Sequence, residues 1–407
     1  MLVEGILQKT LGLKSHRIKR VRWEAEGLVA ELVPRKNGRV CCGSCGRRAR
    51  WVHETRRPRR WRHVPLWRIP VQLEYRPRRV ICRNCGLRTE AMAWALPKGK
   101  LSKALVAFLA SWAKVLSIAE TAKRFEVSWN TVQRAVRVAV AYGLEHRPET
   151  PVRVLGVDEV SRRKRHVYLT VVYDLENGYV VWVGEGREAA TLRRFFEEWG
   201  EERAAEIETT CCDMWEPYIQ VLEEKAPQAE LVFDRFHVVK HLNEAVDRVR
   251  REEYRSLPAE ERKELKRSRY LFLKNPWNLK RKEKRRLGAL LKTNRQVVKA
   301  YYLKEAFQQF WEYAQPGRAA RYLNQWFWWA THSRIEPLRD FAWMLRRHWD
   351  GIMAWTRNRI SNSALEGMNN KIKSLSHRAF GYRKAQTFID IIYHCCGGLP
   401  EFITPGM

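Results

Sequence analysis

Val154-Leu155-Gly156-Val157-Asp158-Glu159 is a run of apolar and β-branched residues that ends in two acids. Such side chains pack well on a pleated surface, so the run reads as a buried strand. An acid at the end of a buried strand is awkward unless it binds something, because a carboxylate is costly to desolvate. The pattern returns twice: Thr209-Thr210-Cys211-Cys212-Asp213 and Leu231-Val232-Phe233-Asp234 each lead from a strand into an aspartate. Strands read at 152–157, 166–173 and 179–183, the last two joined through Asn177-Gly178, a strong hairpin signal. Then come a helix at 188–199, a strand at 207–212, a helix at 218–224 and a strand at 231–233.

Three strands in a meander followed by alternating helices and strands predict a mixed sheet with helices packed on it. This is also the element order of a ribonuclease-H-like core. Downstream, Ser361-Asn362-Ser363-Ala364-Leu365-Glu366-Gly367-Met368-Asn369-Asn370-Lys371 opens another helix, with Ser361 or Asn362 as its cap. Leu365, Met368, Ile372 and Leu375 form its buried stripe, and Glu366 sits at the edge with Asn369 and Lys373 on the same side. Phosphoryl transfer on DNA uses two hard cations roughly 4 Å apart. Mg²⁺ takes carboxylate oxygens and keeps several waters. Acids from separate strands and one helix can build that site; the plainer reading of each is a cap or an ion pair.

The whole chain bounds these readings. Its 407 residues suggest two to four domains, and a hydrophobic content of 45% excludes disorder for the whole. A formal net charge of +32 points to a polyanionic partner, nucleic acid ahead of an anionic membrane surface. No stretch approaches the roughly 18 uninterrupted apolar residues of a membrane helix. The opening MLVEGILQKTLGLK is too short and too interrupted for a signal peptide, so a cytoplasmic protein is expected. Residues 1–100 hold 25 Lys and Arg against 7 Asp and Glu, and so carry +18 of the total. Arg56, Arg57, Arg59 and Arg60 cluster there, interleaved with Trp51, Trp61 and Trp67. Arginine meets phosphate with a planar fork of donors, and DNA contact is preferred to a merely solvated basic face. Residues 184–230, with 13 acidic and 5 basic residues, are no phosphate surface.

Nine cysteines, an odd number, argue against a disulfide framework. Cys42-Gly43-Ser44-Cys45 and Cys82-Arg83-Asn84-Cys85 are two CxxC pairs, each followed by a glycine that permits the tight turn of a zinc knuckle. Cys42, Cys45, Cys82 and Cys85 predict a closed, tetrahedral, structural Zn²⁺ site. Cys41 is the alternative to Cys42, and His53 and His63 are possible substitutes. Next, Ser117–Ala141 reads as a helix-turn-helix. Ile118, Ala122 and Phe125 form one apolar face, Glu126-Val127 the turn, and Ser128 the cap of the second helix. Val132, Ala135, Val136 and Ala139 bury that helix, leaving Trp129, Asn130, Gln133, Arg134 and Arg137 outward to read base edges in a major groove. An ordinary helical hairpin is the plainer alternative.

Taken together, CxxCG…CxxCG, the helix-turn-helix, GVDE at 156–159, HVYLTVVYD at 166–174, CDMWEPYI at 212–219, FDRFHVVKHLNEAVDRVRR at 233–251, SNSALEGMNNKIK at 361–373 and AFGYR at 379–383 resemble the ISL3-type insertion-sequence transposases, relatives of the mutator-like DDE transposases. The resemblance implies a DDE triad, with Asp158 from GVDE, Glu366 from the ALEG motif and Asp213 as the second acid. It makes Asp234 and His237 an accessory D-x-x-H motif, with Asp234 as the alternative second ligand. It further implies two Mg²⁺ (or Mn²⁺) ions per active site held by Asp158, Asp213 and Glu366. DNA cleavage and strand transfer at terminal inverted repeats, double-stranded DNA of transposon ends and target as partner, and a homodimer or larger assembly follow from it.

The expected fold class is thus multidomain α/β. A zinc module (1–95) and a helix-turn-helix domain (96–147) precede a ribonuclease-H-like core (148–240 and 356–407) interrupted by an all-helical insertion (241–355). The insertion carries Trp277, Trp311, Trp326, Trp328, Trp329, Trp343, Trp349 and Trp355 and the basic run 280–286. Most of these tryptophans read as core, with base stacking as the sharper alternative. Two competitors remain: a catalytically silent, transposase-derived DNA-binding regulator, against which the three acids argue, and a nuclease that cuts without joining.

Replacing Arg134 with Ala is expected to weaken binding to the cognate end more than to random DNA. Replacing Arg56 and Arg57 should weaken both alike and flatten the salt dependence. Equal losses on both DNAs for Arg134→Ala would mean that the helix does not read bases.

Overall fold

Apolar residues crowd both faces of the strands at 154–183, and helices must cover such a sheet on two sides. The structure, a computed structural model, describes residues 3–402 except 11, 12, 14, 37, 97, 98, 164–166, 294 and 359–361. The expected cap Ser361 and the strand start His166 lie outside the described residues. Two units form, one of Met1–Glu149 with Ser374–Met407, the other of Thr150–Lys373.

In the first unit, helix α1 (Val3–Thr10) precedes β1 (His16–Glu24), β2 (Gly27–Pro34), β3 (Trp51–Thr55), β4 (Arg59–Leu66), β5 (Ile69–Tyr75), β6 (Arg78–Cys82) and β7 (Gly86–Thr89). They build a four-stranded sheet, β1-β2-β5-β4, and a three-stranded one, β3-β6-β7. Helices α2 (Lys103–Val115), α3 (Ile118–Arg124) and α4 (Trp129–Glu145) follow. Each begins at a serine. Ser102, Ser117 and Ser128 accept from the backbone N–H three residues on, satisfying a donor that the helix itself cannot pair. Glu126, at φ +50°, turns the chain between α3 and α4.

The second unit is built on a five-stranded sheet. Its strands are β8 (Val154–Arg163), β9 (Val167–Asp174), β10 (Tyr179–Glu185), β11 (Thr209–Cys212) and β12 (Glu230–Phe233), in the order β10-β9-β8-β11-β12. The first three are antiparallel neighbours, while β11 lies parallel to both β8 and β12. At the β9–β10 turn, Gly178 has φ +69°, and the Asp174 carboxylate accepts from the backbone of Glu176 and Asn177. Helices α5 (Ala189–Trp199), α6 (Glu201–Ala205) and α7 (Glu216–Lys225) supply the crossovers.

After β12 the chain is helical: α8 (Arg235–Ser256), α9 (Ala259–Leu265), α10 (Arg269–Leu273), α11 (Arg281–Leu291), α12 (Gln296–Gln308), α13 (Pro316–His332), α14 (Glu336–Arg347), α15 (Trp349–Asn358), α16 (Asn362–Arg378) and α17 (Ala385–Cys396). One apolar cluster joins the sheet to helices α8 to α15, from Leu155 and Val172 through Phe195 and Tyr218 to Trp311, Trp326 and Trp355. Trp277, Trp328 and Trp343 remain exposed. The sequence pattern keeps 356–407 in one piece, but the boundary between units falls inside α16. The chain from Ser374 onward, including α17, packs with the N-terminal unit. The apolar face of α17, with Phe388, Ile391 and Ile392 buried, lies against α2 and α4.

Gly351 of α15 sits where a Cβ would stand 2.4 Å from the ring of Phe233, the residue before Asp234. Gly351→Ala is expected to cost about 1–3 kcal/mol by overpacking. Gly288→Ala in α11, where nothing lies within 4 Å, should instead stabilise the chain, by up to about 1 kcal/mol. Denaturant midpoints of the two variants check the pair, and equal behaviour would contradict the packing described.

Candidate functional site

Strand register brings the three aspartates side by side. Gly156 of β8 is paired with Cys211 of β11, so Asp158 and Asp213, each two residues further on, stand at the same level, Asp158 still in the sheet opposite Val171 of β9 and Asp213 just past the end of β11. Cys212 is paired with Phe233, which sets Asp213 and Asp234 at neighbouring strand ends. Asp213 and Asp234 thus follow the carboxyl ends of β11 and β12, while Asp158 stands beside them within β8, which runs on to Arg163 rather than ending at 157 because its far half stays paired with β9. Strand β11 is parallel to both neighbours, and the carboxyl end of such strands is where open α/β sheets hold ligands.

Each aspartate spends Oδ1 on local backbone. Oδ1 of Asp158 accepts from Glu159 N at 2.6 Å, that of Asp213 from Met214 N at 2.6 Å, and that of Asp234 from Phe236 N at 2.7 Å, where it caps α8. The three Oδ2 atoms meet other side chains. His237, in the first turn of α8, has Nδ1 3.1 Å from Asp234 Oδ2 and Nε2 3.9 Å from Asp213 Oδ2. Asp158 Oδ2 accepts from Nδ2 of Asn369, whose Oδ1 in turn accepts from the Tyr173 hydroxyl at 2.6 Å.

The electrostatics follow from burial and crowding. Burial holds the Asp158 carboxyl above the usual carboxylate range, against the Glu159 N–H, the nearby His237 and the Asn369 amide, which favour the ion. Glu159 is also raised by burial, with Arg187 opposing. Burial alone lowers the His237 imidazole, yet its partner Asp234 and the charges of Asp213 and Asp158 leave it net above its ordinary value. The three acids thus favour the protonated form of an imidazole that burial alone would keep neutral.

The sequence marks Asn369 only as a neighbour of Glu366. Its contact with Asp158 is legible only once α16 is seen against the sheet. Nothing in the sequence singles out Arg187. It lies over the rings of Tyr168 and Trp215, 4.6 and 5.3 Å away, with Nη1 3.9 Å from Glu159. Glu366 is exposed, one turn before Asn369, and shares no hydrogen bond with the aspartate cluster among the described residues.

In the first unit, Cys42, Cys45, Cys82 and Cys85 bring their sulfurs within 4.8 Å of one another. Sulfurs at the corners of a tetrahedral zinc site stand about 3.8 Å apart, from a Zn–S bond of about 2.3 Å. The four thiols fit that ion. Gly46 and Gly86 both have positive φ, +69° and +68°, as the knuckle turns require. Backbone N–H groups of Cys45 and Ser44 outweigh burial and draw the Cys42 thiol down to about 7, while its hydrogen bond with Cys45 pushes Cys85 up to about 12. Cys41 stands outside the cluster. His63 is a core histidine: it is buried, its Nδ1 lies 2.9 Å from Ser102 Oγ, and burial lowers its pKa to about 4.

Of the residues expected to meet DNA, Asn130 and Arg134 are exposed, as is Trp129. Gln133 and Arg137 are engaged within the unit. Gln133 Nε2 donates to Thr387 Oγ1 at 2.7 Å, and Arg137 Nε pairs with Asp390 Oδ2 at 3.2 Å. Both partners lie on α17, far along the chain, so the periodicity of α4 alone leaves these two residues outward. Arg56, Arg57 and Arg59 are exposed; Arg60, also exposed, is tied to Glu24 and Glu74 at 2.9 Å each. Trp51 and Trp67 are exposed, but Trp61 is a core residue, 1% exposed. Its alternation partners on β4 face solvent, and its own position faces the sheet core.

Comparison with known proteins gives this geometry its context. A family model described as transposase, of ISL3 type, matches residues 155–392, and one described as the zinc-finger of transposase IS204/IS1001/IS1096/IS1165 matches residues 38–85. The transposase for insertion sequence element IS1001 of Bordetella parapertussis is 33% identical over 394 residues, 95% of this chain and 97% of that protein. The transposase for insertion sequence element IS1557 of Mycobacterium tuberculosis is 31% identical over 388 residues, 89% of this chain and 87% of its own.

Protein purified under reducing conditions is expected to carry one zinc per chain by elemental analysis, and Cys82→Ser to lose it. Loss should lower the stability of the N-terminal unit without disturbing the sheet that bears Asp158. Four freely titratable thiols and no zinc in the wild type would refute the site.

Proposed function

This chain belongs to the ISL3 family of transposases, and from that premise we propose that it cuts and joins DNA with a DDE triad of Asp158, Asp213 and Glu366. What carries the reading is the row of aspartates at one level of β8, β11 and β12, Asp158 within its strand and Asp213 and Asp234 just past theirs, each with Oδ1 on the backbone and Oδ2 turned to other side chains. The sheet order β10-β9-β8-β11-β12 supports a ribonuclease-H-like core, and the capped pair α3 and α4 supports a helix-turn-helix.

The donor set is hard carboxylate oxygen, which suits Mg²⁺ or Mn²⁺. Asp158, Asp213 and Glu366 would hold two such ions, which lower the pKa of bound water and neutralise charge on phosphoryl oxygens. The chain's own groups do the rest. Asn369 holds Asp158 in place by its amide, and α16, which carries Asn369, brings Glu366 along on the same face. Asp234 caps α8 and orients His237, which offsets the negative charge of Asp213 and Asp158. Asp213 is preferred to Asp234 as the second ligand because it is partly exposed, whereas Asp234 is buried and committed to its cap.

Recognition of the ends is assigned to the zinc module and to Asn130 and Arg134, with Arg56, Arg57 and Arg59 on the backbone. The chain would act as a dimer or larger, since two ends must be held together, and in the cytoplasm, with access to the DNA that carries the element.

On labelled DNA bearing the element's own ends, Asp158→Asn, Asp213→Asn and Glu366→Gln are each expected to abolish Mg²⁺-dependent cleavage while leaving end binding within a few-fold of wild type. Asp234→Asn should retain measurable cleavage. Normal cleavage by Asp213→Asn with none by Asp234→Asn would reverse the assignment, and binding without cleavage by the wild type would favour a silent regulator.

A further inference from the structure

The helix capped by Asp234 does not end at the cluster. Along α8, Phe236, Lys240, Asn243, Glu244, Asp247 and Arg251 recur at helical spacing on one face. With Arg250, and with Arg269 and Leu273 of α10, they line an open groove of about 660 Å³. Asp247 is only 6% exposed. Its carboxylate gathers three guanidiniums: Arg250 Nη2 at 2.7 Å, Arg251 Nε at 3.4 Å and Arg269 Nε at 3.4 Å. Four cationic side chains against two carboxylates leave the groove at +2.

A network of this kind contributes little to stability, because desolvating a carboxylate offsets most of the attraction. What it does achieve is to hold long side chains still. Arg251 and Arg269 remain about half exposed, at 55% and 54%, while tethered at their base. Ordering free arginines on binding costs rotamer entropy, and here that ordering is done in advance. Asn243 adds an amide whose buried Oδ1 has no partner among the described residues. A half turn of that amide presents N–H to an acceptor instead. The next residue round the same helix is different in kind: Arg248, absent from the groove lining, is neutralised by Glu252 and Asp340, at 3.0 and 3.4 Å.

We propose that this groove is a DNA-backbone clamp, in which Arg251 and Arg269 bind phosphates of the strand leading away from the aspartate cluster and Asp247 is their positioning residue. Planar guanidiniums suit phosphate oxygens bidentately. From Phe236 to Arg251 the helix rises about 22 Å, the span of roughly six phosphate steps along one strand. The inference rests on the reading of the cluster as the site of strand cleavage. It adds a place for the flanking DNA.

The test is a salt titration of full-length protein binding to a fluorescent duplex that carries one end of the element. The double variant Arg251→Ala/Arg269→Ala is expected to reduce the slope of log affinity against log salt by about 1.8, at about 0.9 for each phosphate no longer neutralised. Arg248→Ala should leave it unchanged. Arg251→Lys/Arg269→Lys should restore the slope but not the full affinity, since the charge returns without the fork. An unchanged slope in the double alanine variant, or an equal drop for Arg248→Ala, overturns the clamp even if the wild type cleaves the end. A wild type that shows the expected slopes but never cleaves with Mg²⁺ refutes the cleavage reading and leaves the groove as a DNA-binding surface.

Discussion

Three carboxylates at the same level of one sheet repel, and the second unit is organised around offsetting that repulsion. Register sets Asp158, Asp213 and Asp234 side by side on neighbouring strands, where burial of the sheet makes like charges costlier than in water. Each acid gives one oxygen to a backbone N–H, which disperses part of its charge at no cost in side-chain entropy. The remaining oxygens need cationic or amide partners. His237 sets its ring nitrogens beside Asp234 and Asp213, and Asn369 gives Asp158 an amide. The Asp234 cap aligns the N-terminus of a 22-residue helix, α8, with the cluster, adding the positive end of its dipole.

Much of this is legible in the sequence because strand signals are local. The β-branched runs, the Asn177-Gly178 hairpin and the alternation of strand and helix all place the core elements within a few residues of where they lie. The strand-end position of Asp213 and Asp234 follows from the same runs, whereas β8 runs on to Arg163 through its pairing with β9 and leaves Asp158 mid-strand, which no apolar run after Glu159 announces. The zinc cysteines are legible for another reason: a knuckle is a local motif, and two of them close a site in only one way. A local signal also marks Ser128 as a cap, because capping is decided within four residues.

What is not legible depends on contacts between distant segments. Gln133 and Arg137 satisfy every sequence criterion for an outward helix face, yet Thr387 and Asp390, some 250 residues later, take them up. The division of the last segment within α16 has the same origin, since α17 carries its own apolar face and α4 offers the matching one. Trp61 reads as one of an aromatic set among arginines; strand alternation, which hides every second residue, decides instead that it is core. Nor does any pattern show that Asp247 collects arginines from two helices, because Arg269 reaches it from α10, beyond the intervening α9.

The division of labour on α16 follows from the same charge argument. A carboxylate placed at position 369 would have faced Asp158 as a like charge. The amide instead donates to Asp158 while the Tyr173 hydroxyl donates to its oxygen, so both ends of Asn369 are used and its orientation is determined. The neutral residue can therefore dock the helix onto the sheet whatever the charge of the cluster. Glu366, one turn earlier, is left at the exposed edge. A fourth acid drawn to three others gains nothing without a cation between them, and in the proposed site that cation is the metal. Docking by an amide and ligation by a carboxylate are thus kept on separate residues of one helix, which lets the helix be positioned by the fold and the acid by the chemistry.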